Sequence, residues 1–313
     1  MLRYVVRRIV AVIPVGLTVL VFVFLLLRVT PGDPAVVIAG DSASTQQIEQ
    51  VRVALGLDRP IYEQLAIWAG QLAHGDLGRS VFSHVPVTTL IAQRIAPTLA
   101  LAVTAMLFAS ALAIPLGVLA AARAGTVVDR LVMLFAVLAF SLPVFWIGYA
   151  LVLVFAIGWG LLPVQGYVEL SQGVGPFLGH IALPSVTLGL AFMALLARVT
   201  RSAMLEVLSQ DYIRTAHAKG LASREVLVGH ALKNAAVPIA TIIGIGVALL
   251  IGGVIVTETV FAIPGIGRLT VDAILRRDYP IIQGVVLLFS AAYVIVNLLV
   301  DLSYTLLDPR VRY

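Results

Sequence analysis

The chain has 313 residues, of which 60% are hydrophobic and only 12% charged, against roughly 25% charged residues in soluble domains. That balance excludes an ordinary soluble globule and points to a membrane protein. The absence of cysteine excludes a disulfide framework and thiolate metal sites. A formal net charge of +5 has to be located along the chain before it suggests any nucleic-acid partner.

Crossing a bilayer takes about 20 mostly apolar residues. Six uncharged runs approach or exceed that length: 9–27, 95–122, about 131–157, 181–197, 235–257 and 281–300. Each must satisfy its own backbone hydrogen bonds in hydrocarbon, so six transmembrane helices are expected. The first run follows Arg3, Arg7 and Arg8 as a signal peptide would, but its 19 residues exceed the roughly 7 to 15 of a signal core, so it is read as a retained span. With the N-terminus inside, 13 of the 21 basic residues fall on the inner face, which favours an N-in, C-in arrangement.

Three outer segments follow from that topology. Residues 31–94 are too long for a simple connection and should form a folded extracytoplasmic cap with short helices such as "TQQIEQVRVALGL". Residues 158–180 are glycine-rich, and residues 258–280 set Leu269, Val271, Ile274 and Leu275 against Arg268, Asp272, Arg276 and Arg277, an amphipathic helix suited to the membrane interface. The chain thus divides into residues 1–30 (tail and first helix), 31–94 (outer segment) and 95–313, a five-helix core carrying a polar loop at about 201–234.

Several chemistries are missing. There is no Walker A pattern and no Gly-Lys dipeptide, so no nucleotide phosphate can be cradled in that way. The five histidines lack zinc-ligand spacing and read as surface residues. Arg28 and Asp301 lie at span ends, and buried charges of the kind proton-coupled carriers use are nearly absent. Glu258, just past the fifth span, reads as a member of an interfacial salt bridge or as part of a transport path. In the third span, Pro143 can kink the helix; Ser141, Phe145 and Trp146 around it either line a cavity or simply pack.

The polar block "DYIRTAHAKGLASREVLVGHALKN" at 211–234 stands out. From Leu205, apolar Leu208, Tyr212, Ile213 and Ala216 recur at three- and four-residue spacing, while Glu206, Gln210, Asp211, Arg214 and His217 fill the other face. Gly220 suits the left-handed position after a helix end, with Lys219 against the negative pole of the dipole. Ser223 can cap a second helix. Both ends are tied into the membrane, which argues against a DNA-reading helix pair, and a two-sided helix on the inner face is suited to lying in a groove of a partner protein.

This block resembles the EAA loop of ATP-binding-cassette (ABC) importer permeases in its dipeptide and oligopeptide form, through "DYIRTAHAKG" and "HALKNAAVP" ending at Pro238. The resemblance extends to "TPGDP" at 30–34, "LGLDRPIYEQ" at 55–64, "GDLGRS" at 75–80, "SLPVFWIG" at 141–148, "FAIPGIG" at 261–267 and "LLDPRVRY" at the end. Arg214, Thr215 and Ala216 occupy the Glu-Ala-Ala places of the general pattern, and "HALK" replaces its I-x-L-P, departures typical of the peptide branch.

The resemblance implies the fold of a type I importer permease, a transport subunit without its own nucleotide site. Asp211, Tyr212, Arg214, Thr215, Ala216, Ala218, Lys219 and Gly220 would form a coupling helix resting in a cleft of a cytoplasmic ATPase. Partners implied are two such ATPases, a second similar permease, an extracytoplasmic solute-binding protein and membrane lipid, with no nucleic acid. No cofactor is expected on this chain; ATP and Mg belong to the ATPases. Gly244, Gly246, Gly252 and Gly253 would allow close helix contact, between permeases or within one. The implied cargo is a peptide or related small solute, carried across the cytoplasmic membrane of a prokaryote. The rival reading is an ATP-independent carrier or channel, which intramembrane charges or symmetric broken helices would have favoured; a membrane enzyme is discouraged by the missing acid, base and metal clusters.

Overall fold

A computed structural model describes residues 2–29, 33–39, 43–54 and 56–307. Residues 30–32 of "TPGDP" and residues 308–313 of the terminal motif, with Arg310 and Arg312, lie outside the described residues, as do the side chains of Arg3, Arg7 and Arg8. The regular secondary structure of the described residues is helical, with one isolated bridge between Arg79 and Pro86 as their strand pairing. In chain order the helices are α1 (Leu2–Val29), α2 (Pro34–Ala39), α3 (Thr45–Ala54), α4 (Ile61–Ala73), α5 (Val87–Ala122), α6 (Val127–Ser141) and α7 (Val144–Leu151, extended by a π-helical turn Val152–Gly158). Next come α8 (Val174–Leu208), α9 (Asp211–Ala218), α10 (Ser223–Glu225, running through a π-helical segment Val226–Leu232), α11 (Lys233–Val260), α12 (Ile266–Arg276) and α13 (Tyr279–Leu307).

Among the described residues, four helical stretches are long and apolar enough to cross a membrane: Val87–Ala122, Val174–Leu208, Ser223–Gly246 and Tyr279–Val300. The expected third span, about 131–157, is not one helix. It breaks into Val127–Ser141 and Val144–Gly158, bent by 102°. The cause is local: a residue before proline is driven out of the helical region, and Leu142 sits extended at φ −84°, ψ 136° with Pro143 opening the next helix. If the bent pair crosses as one, five spans are present; α1 adds a shorter apolar stretch, Ile13–Leu25.

The chain forms two compact units. One comprises Ala96–Arg268 with Ile295 onward, and its axis is α8, against which α6, α7 and α11 pack. In its apolar window 67% of the residues are buried, against 22% for α5, which identifies α8 as the central helix. Neighbours reach it through small residues. A Cβ built on Gly117 of α5 would lie 2.6 Å from the Thr200 Cβ and 2.8 Å from the Ala197 carbonyl oxygen, and one on Gly189 of α8 would lie 2.8 Å from the Ala105 carbonyl oxygen. Gly246 and Gly253 of α11 face the Phe192 ring and Leu188 in the same way, so these two glycines serve close packing within the chain. Gly244 meets Val300 of α13.

The second unit comprises Leu2–Ile95 and Leu269–Val294. Within it the Phe24 ring of α1 lies 5.7 Å from the Trp68 ring of α4, and Arg52 of α3 pairs with Asp33 ahead of α2 and with Glu49 at 3.2 Å. The "GDLGRS" segment folds into a tight loop. Asp76 accepts the Gly78 N–H at 2.8 Å, and buried Ser80 donates to the Asp278 carboxylate at 2.5 Å while the Val81 N–H donates to the same group at 3.3 Å. Asp278, 2% exposed, thereby ties this loop to the start of α13.

The α5–α8 contact is therefore intolerant of bulk. Gly117→Val should lower stability by about 1–3 kcal/mol through overpacking, read as a drop in the melting temperature of the purified protein in detergent; an unchanged melting curve would contradict this contact.

Candidate functional site

The polar block begins where α8 ends. The chain breaks at Ser209 and Gln210, Gln210 being extended at φ −75°, ψ 148°, and restarts as α9. The single two-sided helix expected from Leu205 is thus two helices, and Tyr212, expected on the apolar face, is 42% exposed. Two side chains seat α9: Ile213 at 3% and Ala216 at 7% exposure. They belong to the same core as Val226 and Ala231 of the π-helical segment, on which α9 packs. Asp211, Tyr212, Arg214, Thr215, His217, Ala218, Lys219 and Gly220 are all exposed. The Asp211–Arg214 pair at 3.5 Å, with side chains 95% and 79% exposed, contributes little to stability, as surface pairs generally do.

The end of α9 has the hydrogen bonds of a Schellman cap. The Leu221 N–H donates to the Ala216 carbonyl at 3.3 Å and the Gly220 N–H to the His217 carbonyl at 2.9 Å, with Gly220 left-handed at φ +79°. A Cβ on Gly220 would meet nothing within 4 Å. The glycine is needed here for its backbone conformation, and within this chain not for close approach. Ser223 does not cap the next helix as expected: Ala222 takes the cap position, and no side chain bonds there. The helix continues through the π-helical segment into α11, where the Asn234 side chain donates to the His230 carbonyl at 2.7 Å.

A second polar knot sits at the far end of α11. Glu258 is fully buried, and its partners are neutral: Thr98 Oγ1 donates to Oε1 at 2.6 Å, and the Arg268 N–H donates to Oε2 at 2.9 Å. Thr98 in turn accepts the Ile266 N–H at 2.8 Å. The carboxylate and hydroxyl thus satisfy the opening N–H groups of α12, which a helix start leaves unpaired. This geometry explains "FAIPGIG": a Cβ on Gly265 would overlap the Glu258 carboxylate, and one on Gly267 would lie 2.6 Å from the Ile255 Cα. Among the described residues Glu258 makes no salt bridge; it is a buried helix cap.

The remaining candidates lie at the bend. The Ser141 hydroxyl donates to the Val137 carbonyl at 2.8 Å, closing α6, and the Pro143 carbonyl accepts the Trp146 N–H at 3.0 Å, opening α7. Phe145 and Trp146 are 51% and 53% exposed and form one stripe with exposed Tyr149 and Leu153 at helical spacing. On the opposite side of α7, buried Gly148 lies against Thr187, Val260 and Phe261. Sequence reasoning missed the Thr98–Glu258 and Ser80–Asp278 bonds, whose partners are 160 and 198 residues apart. It also missed the fork between Arg201 and Asp129, where Nε and Nη2 donate at 2.5 and 2.7 Å. The only local signal for any of them was the crowding of glycines in "FAIPGIG".

Residues 113–313 match the model of the binding-protein-dependent transport system inner membrane component family, and residues 1–102 match the model of its N-terminal region. The chain belongs to this family. It is 53% identical to a probable peptide ABC transporter permease of Sinorhizobium fredii, over 99% of both chains. It is 44% identical to a putative peptide transport system permease of Brucella abortus over the full length of both, and 41% identical to the dipeptide transport system permease of Escherichia coli K12 over 100% of this chain and 99% of that one. It is an ABC importer permease, a membrane-embedded subunit of a multi-subunit transporter, and α9 with its exposed face lies inside the family-matched region.

Glu258→Ala should expose the cost of unpaired buried donors at the start of α12, about 1–3 kcal/mol, while Glu258→Gln, which keeps an acceptor, should cost less. Thermal unfolding of the two variants checks the order; equal melting temperatures would refute the capping role.

Proposed function

We propose that this permease moves dipeptides, oligopeptides or a related small solute across the cytoplasmic membrane of a prokaryote, driven by ATP hydrolysis on partner subunits. The observation that carries the reading is α9: a short helix held by Ile213 and Ala216 with every other side chain facing outward, in a block that has the peptide-branch motif. A helix seated by two residues and open elsewhere fits a protein groove. The names of the relatives support the peptide cargo.

In this reading six spans run N-in, C-in, with residues 31–94 as an extracytoplasmic segment and α9 in the cytoplasm. The assembled transporter holds a second similar permease, two ATPases that carry ATP and Mg, and a solute-binding protein docking from outside. Closure of the ATPases on ATP displaces α9. Because packed helices shift as rigid bodies, the displacement rocks the spans and alternates access to a central cavity. The chain performs no hydrolysis itself. Phe145, Trp146 and their stripe are candidates for the cavity wall, and the rest of the exposed apolar surface faces lipid or the second permease.

Gly220→Asp should leave the chain inserted and assembled while cutting substrate-stimulated ATP hydrolysis by the complex, because the left-handed turn that presents α9 becomes strained; unchanged stimulation would show that the contact lies elsewhere. The chain has no native cysteine, so labelling can test topology directly. A cysteine at position 50 should react with an impermeant reagent from outside the cell and one at position 217 only from inside; the reverse pattern would overturn the orientation.

A further inference from the structure

The ion pair between buried Asp129 and half-buried Arg201 is left unused by the account above. Asp129, in the first turn of α6, is 4% exposed. Its Oδ1 accepts from Arg201 Nε at 2.5 Å, and its Oδ2 accepts from Arg201 Nη2 at 2.7 Å and from the Gly125 N–H at 2.9 Å. Every contact is thus charge-assisted or made to fixed backbone. Arg201 stands on α8 about two turns before its end at Leu208, and α9 follows after two residues. One and four residues before it, Thr200 and Ala197 receive the close approach of Gly117 on α5. The last turns of α8 are therefore held to α5, to the α5–α6 turn and to α6 at one level.

An ion pair withdrawn in part from water is weak evidence for stability, because apolar side chains of similar volume often do as well. What a two-pronged guanidinium–carboxylate contact adds is direction, since both distance and angle are fixed. Apolar helix faces can slide over one another by an ångström or two; a fork closed on a carboxylate that is itself tied to the Gly125 N–H resists that sliding. The pair stands where such a constraint has the most effect, between the helix that carries α9 and the helix whose other end turns through 102° into α7.

We propose that Asp129 and Arg201 are positioning residues that lock α6 to the end of α8, so that a displacement of α9 moves both helices as one body. This rests on the reading of α9 as the ATPase-coupling helix. Without the fork, α8 still follows α9, but α6 lags and the stroke is dissipated in sliding between the two.

The test uses the assembled transporter in lipid nanodiscs, with spin labels at Leu134→Cys on α6 and Ser202→Cys on α8, and a fluorescent reporter at His217→Cys in a separate preparation. With the fork intact, the 134–202 distance should be the same without nucleotide and with ATP trapped by vanadate. In Arg201→Gln and in Asp129→Asn the distance should shift by about 1–2 Å or split between the two states, the scale of helix sliding. Arg201→Lys, which keeps the charge but loses the fork, should shift it less and covers the case in which the other variants fail to assemble. The double variant should behave like either single one, since the second change removes nothing further.

A 134–202 distance that already changes with ATP in the intact protein would overturn the lock. So would one that stays constant in the variants while the reporter at 217 responds to ATP. If position 217 is blind to ATP, it is the coupling reading of α9 that fails.

Discussion

Close approach to α8 is the condition on which the larger unit depends. A helix buried over most of its length can be surrounded only if its neighbours come near enough to exclude voids, and at Gly117, Gly246 and Gly253 they do so by presenting no side chain. In a bilayer the hydrophobic effect gives little drive for helices to associate, so van der Waals contact and polar links must supply it. The result is an apolar core running from Leu101 on α5 through Leu196 on α8 to Ile239 on α11. Tolerance of substitution should follow distance from this axis more closely than hydrophobicity.

Three carboxylates in the described residues are almost wholly buried, and each one holds a junction. Asp129 fastens the start of α6 to α8, Glu258 receives the first N–H groups of α12, and Asp278 captures the Ser80 loop at the start of α13. A carboxylate taken out of water is tolerated only where hydrogen bonds replace its hydration. These groups are therefore confined to places where loose backbone N–H groups or hydroxyls are available, which are the ends of helices. Each of the three stands at or beside such an end.

The sequence made the helical class and the apolar runs legible because spans announce themselves by composition, and it made the turn at Gly220 legible because a left-handed cap needs a residue without Cβ. The exposed face of α9 was also readable in outline, though Tyr212 was assigned to the wrong side: the break at Ser209 and Gln210 resets the helical phase, and nothing in the periodicity marks it. The elbow in the third run was visible only as Pro143. Whether a proline kinks a helix gently or breaks it depends on whether the preceding residue stays helical, and Leu142 does not. The carboxylate junctions were illegible because their partners are brought together by the fold, from 72 to 198 residues away.

The elbow itself has a mechanical meaning. Two arms set at nearly a right angle have the form of a bell crank, in which a push along one arm leaves the joint as a sideways swing of the other. The first arm is fastened beside Arg201 at its outer end, and the second lies against Val260 and Phe261 through Gly148. The proline ring holds φ near −60° at the joint and so fixes one of the torsions that set its angle. A broken helix, ordinarily the weak point of a membrane bundle, is here the part that can change the direction of a movement.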